Sequence, residues 1–348
     1  IYTAAVEDGM TPDMLVSGAP IKRGGWSPHN YDGSLSHPNV PMKIALAKSY
    51  NLAAVHLLEQ VGIQAGGQMV RRFGITNPMA PSLPSALGAS EASLLEMVSA
   101  YSTFPNKGIR IPPHLVRKVY SRDGTLLEEW DKGSSKVTSE YVALTMVELM
   151  RGVTSGGGTA PGASAAGQPL AGKTGTVNDH TDVWFIGYTP TYVTGVWMGN
   201  PERKESLGAG MTGGHGALPF FNTFMNAFMK GKPSERFPST PPMPSEIKSL
   251  MERNKREELE KLEKAEQAGI RSGAATSGKT ITTTATDTTT TTVPSGTVTG
   301  TDGVKTLPAG DNPPPIKPPV QQPPIKKPDP PPADRPEGTK PKGKKGDG

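Results

Sequence analysis

Gly172-Lys173-Thr174-Gly175-Thr176 follows a Gly/Ala-rich loop, residues 156–167. It precedes two apolar runs, Val183-Trp184-Phe185-Ile186-Gly187-Tyr188 and Tyr192-Val193-Thr194-Gly195-Val196-Trp197-Met198. β-Branched and aromatic residues dominate both runs, so they read as strands. The pentapeptide combines one cation, two hydroxyls and two glycines. Glycine lets backbone N–H groups approach a ligand closely, lysine is a point charge, and each threonine hydroxyl donates a hydrogen bond. Together they suit an anionic or carbonyl-bearing ligand. The same five residues also read as a Gly/Thr-rich edge strand, and alone they do not decide between the two. Nucleotide-binding readings are set aside: no G-x-G-x-x-G follows directly on a strand-like run, and no P-loop is expected.

The chain has 348 residues, long enough for one large or two small domains. Its 36 prolines and 41 glycines are not evenly spread, and many of them fall after residue 242, so the globular part is shorter than the chain. The net charge of +5 is modest. Lysines are dispersed over the globular part, with no basic stripe interleaved with aromatics, so nucleic acid is not an expected partner. There is no cysteine, which excludes disulfides and thiolate metal sites. The six histidines have no metal-ligand spacing, so no metal is expected. No run of about 20 apolar residues marks a transmembrane helix. Ile1 to Gly9 reads as the last turns of a helix with Gly9 as its stop. The expectation is a fragment, with any membrane anchor upstream of Ile1.

Residues 10–38 read as loop. A helix is expected from Asn39, with Pro41 in its first turn, and it breaks at Ser49-Tyr50-Asn51, because serine and asparagine favour caps and turns. The next helix ends at Gly62, and further helices are expected over 66–73, 90–104, 140–153 (capped by Thr138) and 220–229. Asp123-Gly124 marks a hairpin. Helices mixed with antiparallel hairpins make the fold class α+β. Three regions follow: a globular domain over 1–242, a charged helix over 243–268 with pairs such as Glu257/Lys261 and Glu260/Lys264, and a disordered tail over 269–348, Thr-rich and then Pro/Lys-rich.

In combination these motifs resemble the penicillin-binding and serine β-lactamase superfamily. Ser49-Tyr50-Asn51 and Lys173-Thr174-Gly175-Thr176 match its second and third motifs. Trp26-x-Pro28-x-Asn30-Tyr31-Asp32-Gly33, Leu87-Gly88-Ala89-Ser90, Leu94-Leu95-Glu96-Met97, Asn178-Asp179 followed by Asp182-Val183-Trp184-Phe185, and Gly213-Gly214-His215-Gly216-Ala217 look like the transpeptidase domain of a class A (bifunctional) penicillin-binding protein. The resemblance covers residues 1–242 and implies a β-lactamase/transpeptidase-like antiparallel sheet flanked by helices, incomplete at its N-terminus.

The resemblance implies acyl transfer from D-Ala-D-Ala stem peptides of peptidoglycan, without a cofactor, and binding of β-lactams as substrate mimics. Ser49 relays a proton, Asn51 holds the substrate amide and the catalytic lysine, and Lys173 attracts the substrate carboxylate and polarises Ser49. Thr174 and Thr176 bind that carboxylate, Gly175 leaves room for the substrate strand, and the Thr176 N–H forms half of an oxyanion hole. The family's nucleophile motif, Ser-x-x-Lys, must precede Ser49, and nothing there matches it. Ser245-Glu246-Ile247-Lys248 matches in spacing but stands after the third motif, and Ser102-Thr103-Phe104-Pro105 has proline in place of lysine. The expectation is therefore part of a DD-transpeptidase of the outer face of the bacterial cytoplasmic membrane, inactive alone. The alternative is a non-catalytic wall-binding module whose tail recruits cell-wall synthesis proteins. His180 and His215 are read as solvated loop residues, and Trp184 and Trp197 as sheet packing.

Overall fold

A computed structural model describes residues 1–274, apart from 35–36, 131–132, 178–179, 201 and 203–204. The expected tail from 275 onward lies outside the described residues. In chain order the elements are α1 (Tyr2–Glu7), β1 (Leu15–Gly18), β2 (His37–Pro41), α2 (Met42–Ala47), α3 (Asn51–Val61), α4 (Ile63–Arg72), α5 (Leu94–Ser102), β3 (Ile109–Arg110), β4 (Lys118–Tyr120), β5 (Leu126–Glu129), β6 (Ser135–Lys136), α6 (Glu140–Thr154), β7 (Ala171–Thr176), β8 (Asp182–Tyr188), β9 (Val193–Gly199), α7 (Leu218–Met229) and α8 (Ser245–Ala274).

The strands expected around residue 172 form one antiparallel sheet in the order β7-β8-β9. Lys173 pairs with Ile186 and Thr176 with Val183, while Trp184 pairs with Trp197. Successive side chains point to opposite faces, and the neighbours identify each face. A Cβ on Gly195, the partner of Ile186, would lie 2.5 Å from Val98 and 2.9 Å from Leu94 of α5, and on the same face Tyr188 reaches Met150 of α6. Phe185 and Gly187 pack on Phe221 of α7, with the Phe185 and Phe221 rings 4.8 Å apart edge-to-face. The sheet is thus covered by α5 and α6 on one face and by α7 on the other.

The central helix is α6, where Val142, Met146, Leu149 and Met150 are all buried. Thr138 does not cap it. The Ser139 hydroxyl accepts from the Val142 N–H, and the Thr138 hydroxyl instead donates to Glu7 of α1 at 2.7 Å. Glu7 also binds Arg72 at 2.6 Å, so one carboxylate joins α1, α4 and the entrance to α6. Gly9 stops α1 with φ 96°, as expected.

Other expected boundaries shift for local reasons. Asn39 lies in β2, which pairs with β1 inside the supposed loop, and Pro41 is the residue that starts α2. The helix expected from residue 90 begins at Leu94, because Ser93 and Glu96 form a reciprocal capping box. The charged helix runs past 268 to Ala274, with Lys264 beside Glu260 and with Glu257 paired to Arg253.

Candidate active site

Ser49 sits in the junction between α2 and α3. The Ser49 N–H bonds the Leu46 carbonyl at 3.1 Å and the Tyr50 N–H bonds the Ala45 carbonyl at 3.0 Å. These are the two bonds of a Schellman motif, which places Ser49 at the left-handed position that glycine normally occupies. Its φ is 56°. A side chain there is strained, and the turn aims its hydroxyl at β7.

Lys173 Nζ donates to Ser49 Oγ at 2.8 Å and to the Thr174 carbonyl at 2.9 Å. Lys173 is half-buried, and among the described residues it forms no salt bridge. Desolvation lowers its ammonium to about 8. β7 ends the sheet. The Val177 N–H bonds the Asp182 carbonyl at 3.0 Å, which fixes the phase of the ladder. Alternation along an antiparallel pair then turns the N–H and C=O of Gly172, Thr174 and Thr176 toward the edge of β7 that no described strand covers.

Asn51 opens α3 and donates from Nδ2 to the His29 carbonyl at 2.8 Å. The neighbouring Asn30 is buried, and its Oδ1 accepts from the Leu52 N–H at 3.3 Å. The 26–33 loop therefore secures the start of α3, and Asn30 rather than Asn51 supplies the side-chain cap. The Thr174 hydroxyl pairs with the Thr159 hydroxyl at 2.7 Å, and the Thr176 hydroxyl accepts from the Gly213 N–H at 3.1 Å. Gly175 has a steric reason to lack a side chain: a Cβ there would lie 3.1 Å from Cβ of Trp184.

Ser49, Asn51, Lys173, Thr174, Gly175 and Thr176 all border one cavity of about 560 Å³. Ile1 and Tyr2, at the N-terminal end of α1, border it too, as do Met79 and Leu87 of the 76–93 segment. Ser102 closes α5 and donates to the Ser99 carbonyl, and Ser245 opens α8, so both decoy serines belong to helix ends, and neither borders the cavity. His180 Nδ1 lies 2.6 Å from the Met211 carbonyl, and His215 Nδ1 lies 3.1 Å from the Thr212 hydroxyl. Neither borders the cavity. Trp197 donates to Asp182 at 2.8 Å and packs beside Trp184.

Gly167-Gln168-Pro169-Leu170-Ala171-Gly172-Lys173-Thr174 does carry P-loop spacing, G-x-x-x-x-G-K-T. The P-loop reading falls on structure instead: that motif needs a loop opening a helix, whereas Gly172, Lys173 and Thr174 lie inside β7. Sequence reasoning missed Asn30, Thr159 and Gly213 as builders of the site. Each acts through a contact between residues far apart in the chain, Asn30 with Leu52, Thr159 with Thr174 and Gly213 with Thr176, which local sequence patterns do not record.

A strand edge that no described strand covers thus faces a Ser-x-Asn helix junction, with Lys173 bridging the two. Residues 1–226 match the penicillin-binding protein transpeptidase domain, and the chain belongs to this family. It is 36% identical over 246 residues to penicillin-binding protein 1A of Neisseria gonorrhoeae, covering 67% of this chain and 30% of that protein. The penicillin-binding protein 1A of Aquifex aeolicus is 35% identical over 247 residues, covering 69% of this chain and 34% of that protein. The chain thus spans about a third of these relatives' length. Among solved structures, penicillin-binding protein 1A from Haemophilus influenzae has the same fold (TM-score 0.62, 24% identity, 69% of this chain and 42% of that one). PonA1 from Mycobacterium tuberculosis, solved in complex with penicillin V, matches with TM-score 0.59 and 26% identity over 70% of this chain and 73% of that one.

Proposed function

We propose that this chain carries the substrate-binding and proton-relay half of a peptidoglycan DD-transpeptidase. The Lys173–Ser49 hydrogen bond at the open edge of β7 carries the reading. A stem peptide lies along that edge as an added strand, and its terminal carboxylate meets Lys173, Thr174 and Thr176. The outward Thr176 N–H donates to the carbonyl oxygen as it becomes an oxyanion. Loss of one such donor typically costs about a hundredfold or more in rate.

The nucleophile is a serine of a Ser-x-x-Lys ahead of Ile1. The N-terminal end of α1 borders the same cavity as Ser49, so a helix extended upstream enters it at about 1.5 Å per residue. The serine Oγ attacks the D-Ala-D-Ala carbonyl. The amide C–N bond breaks, and the serine proton passes through Ser49 to the departing D-alanine amine. An amine of a second stem then attacks the ester, forms the cross-link and frees the serine. A β-lactam opens in the first step and stays as the ester. The reaction belongs to the outer face of the cytoplasmic membrane. Among the described residues no helix is long and apolar enough to cross a membrane. The present chain, with no Ser-x-x-Lys ahead of Ser49, is not acylated by itself.

That same sequence feature favours a second reading, a non-catalytic wall-binding module. D-Alanine release from a pentapeptide ending in D-Ala-D-Ala separates the two. An upstream-extended chain carrying Ser-x-x-Lys releases D-alanine under the first reading. Binding to peptidoglycan without release, in that extended chain, supports the second.

A further inference from the structure

We propose that Thr159 is a positioning residue that sets the direction of the Thr174 hydroxyl, so that its proton faces the substrate carboxylate. The proposal rests on the reading that Thr174 and Thr176 hold that carboxylate. A threonine hydroxyl has one hydrogen to give and two lone pairs to receive. To donate to an anion it must accept from its other neighbours.

Thr176 already meets this condition. Its partner is the Gly213 N–H, 3.1 Å away. A backbone N–H only donates, so the Thr176 hydrogen stays available for the edge. Thr174 has the Thr159 hydroxyl at 2.7 Å, and either oxygen of that pair is able to donate. With an anion at the edge, the arrangement that satisfies both groups has Thr159 donating and Thr174 passing its own hydrogen to the carboxylate. Aligned hydroxyls of this kind polarise one another and strengthen the outer bond.

Thr159 is placed for this by its backbone. Its N–H bonds the carbonyl of Ala47, the last residue of α2, at 3.1 Å. The adjacent Ala160 is fully buried and its N–H bonds the Val153 carbonyl at 2.9 Å. Gly214 lies so close that a Cβ there would be 2.7 Å from the Thr159 carbonyl. Thr159 therefore joins the helix that leads into Ser49 to the strand that carries Lys173.

The test compares acylation rates of an upstream-extended chain by benzylpenicillin, which keeps its carboxylate, and by its methyl ester, which does not. T159V should slow benzylpenicillin about tenfold or more, as for loss of a charge-directed hydrogen bond, while changing the ester by less than about twofold. T159S, which keeps the hydroxyl, should match the wild type. If T159V does not fold, T159A carries the same expectation, with thermal midpoints recorded for each variant. An unchanged T159V, equal slowing with both probes, or a T159S as slow as T159V overturns the proposal while leaving the proposed function standing. A wild-type extended chain that neither probe acylates overturns the proposed function, and this proposal with it.

Discussion

Lys173 Nζ lies 2.8 Å from Ser49 Oγ, joining two residues 124 positions apart in the chain. The contact is made from a strained backbone, because Ser49 holds a left-handed φ of 56° where a Schellman turn normally has glycine. A non-glycine residue there costs about 1 kcal/mol or more. S49G should relieve that strain while losing the whole hydroxymethyl group, and S49A should keep the strain and lose only the hydroxyl. The expected order of thermal midpoints places S49G above S49A by a few degrees. A midpoint for S49G well below that of S49A would mean that Ser49 is unstrained.

The fold was legible where local chemistry and tertiary packing agree. The two apolar runs after Thr176 became β8 and β9, the Asp123-Gly124 signal gave its hairpin, and Gly9 stopped α1 as expected. Local signals failed where several residue types compete for one role. Thr138 and Ser139 both suit a cap, and only the Glu7 carboxylate waiting for Thr138 decides between them. In the same way Ser49 and Lys173 were legible as motifs. Thr159 and Gly213 were not, because their roles depend on contacts across loops that no periodicity records.

Lys173 also predicts a pH dependence. Its ammonium sits at about 8 in the fold, below the value of about 10.4 for an unfolded lysine. Between those values the folded chain has released its proton and the unfolded chain has kept it, so stability rises with pH across that window. Below about 8 the cost of burying the charge is present in full. The phenols of Tyr2, Tyr101 and Tyr188, pushed up by burial, oppose this rise at high pH but are shared by K173M. Urea midpoints measured from about pH 7 to about pH 9.5 should rise for the wild type relative to K173M. Parallel profiles would place the lysine in ordinary solvent.

Glu96 closes the 76–93 segment that forms one wall of the cavity. One carboxylate oxygen accepts from the Thr76 N–H and hydroxyl, and the other accepts from the Ser93 N–H and hydroxyl. The Thr76 hydroxyl and the Ser93 N–H lead in holding the carboxyl down at about 2. The folded value is depressed, so this stabilisation is complete above about 4.3 and fades as pH falls through about 2. E96A should speed amide exchange within 76–93 while α6 stays protected, and E96Q should fall between E96A and the wild type. Unchanged exchange in 76–93 would show that the clamp contributes nothing.

Gly213 is tightly enclosed. A Cβ there would stand 2.3 Å from the Trp184 carbonyl and 2.8 Å from the Gly175 carbonyl. G213A should push the 213–217 turn away from β7 and destabilise by about 1–3 kcal/mol, the usual range for overpacking. G24A provides the control, since nothing lies within 4 Å of a Cβ at that site, although Gly24 has a φ of 59° and its own modest strain. Denaturant midpoints should fall more for G213A than for G24A. Equal losses would mean that the turn yields freely.

Under the proposed function, an acyl-transfer site is divided between residues of this chain and a serine ahead of Ile1. Covalent labelling by a fluorescent penicillin, read on a denaturing gel, tests it directly. The 348-residue chain should remain unlabelled, and the chain extended upstream through Ser-x-x-Lys should be labelled, with the label lost when that serine is replaced by alanine. A covalent label on the 348-residue chain would contradict the account, and so would an extended, folded chain that takes none.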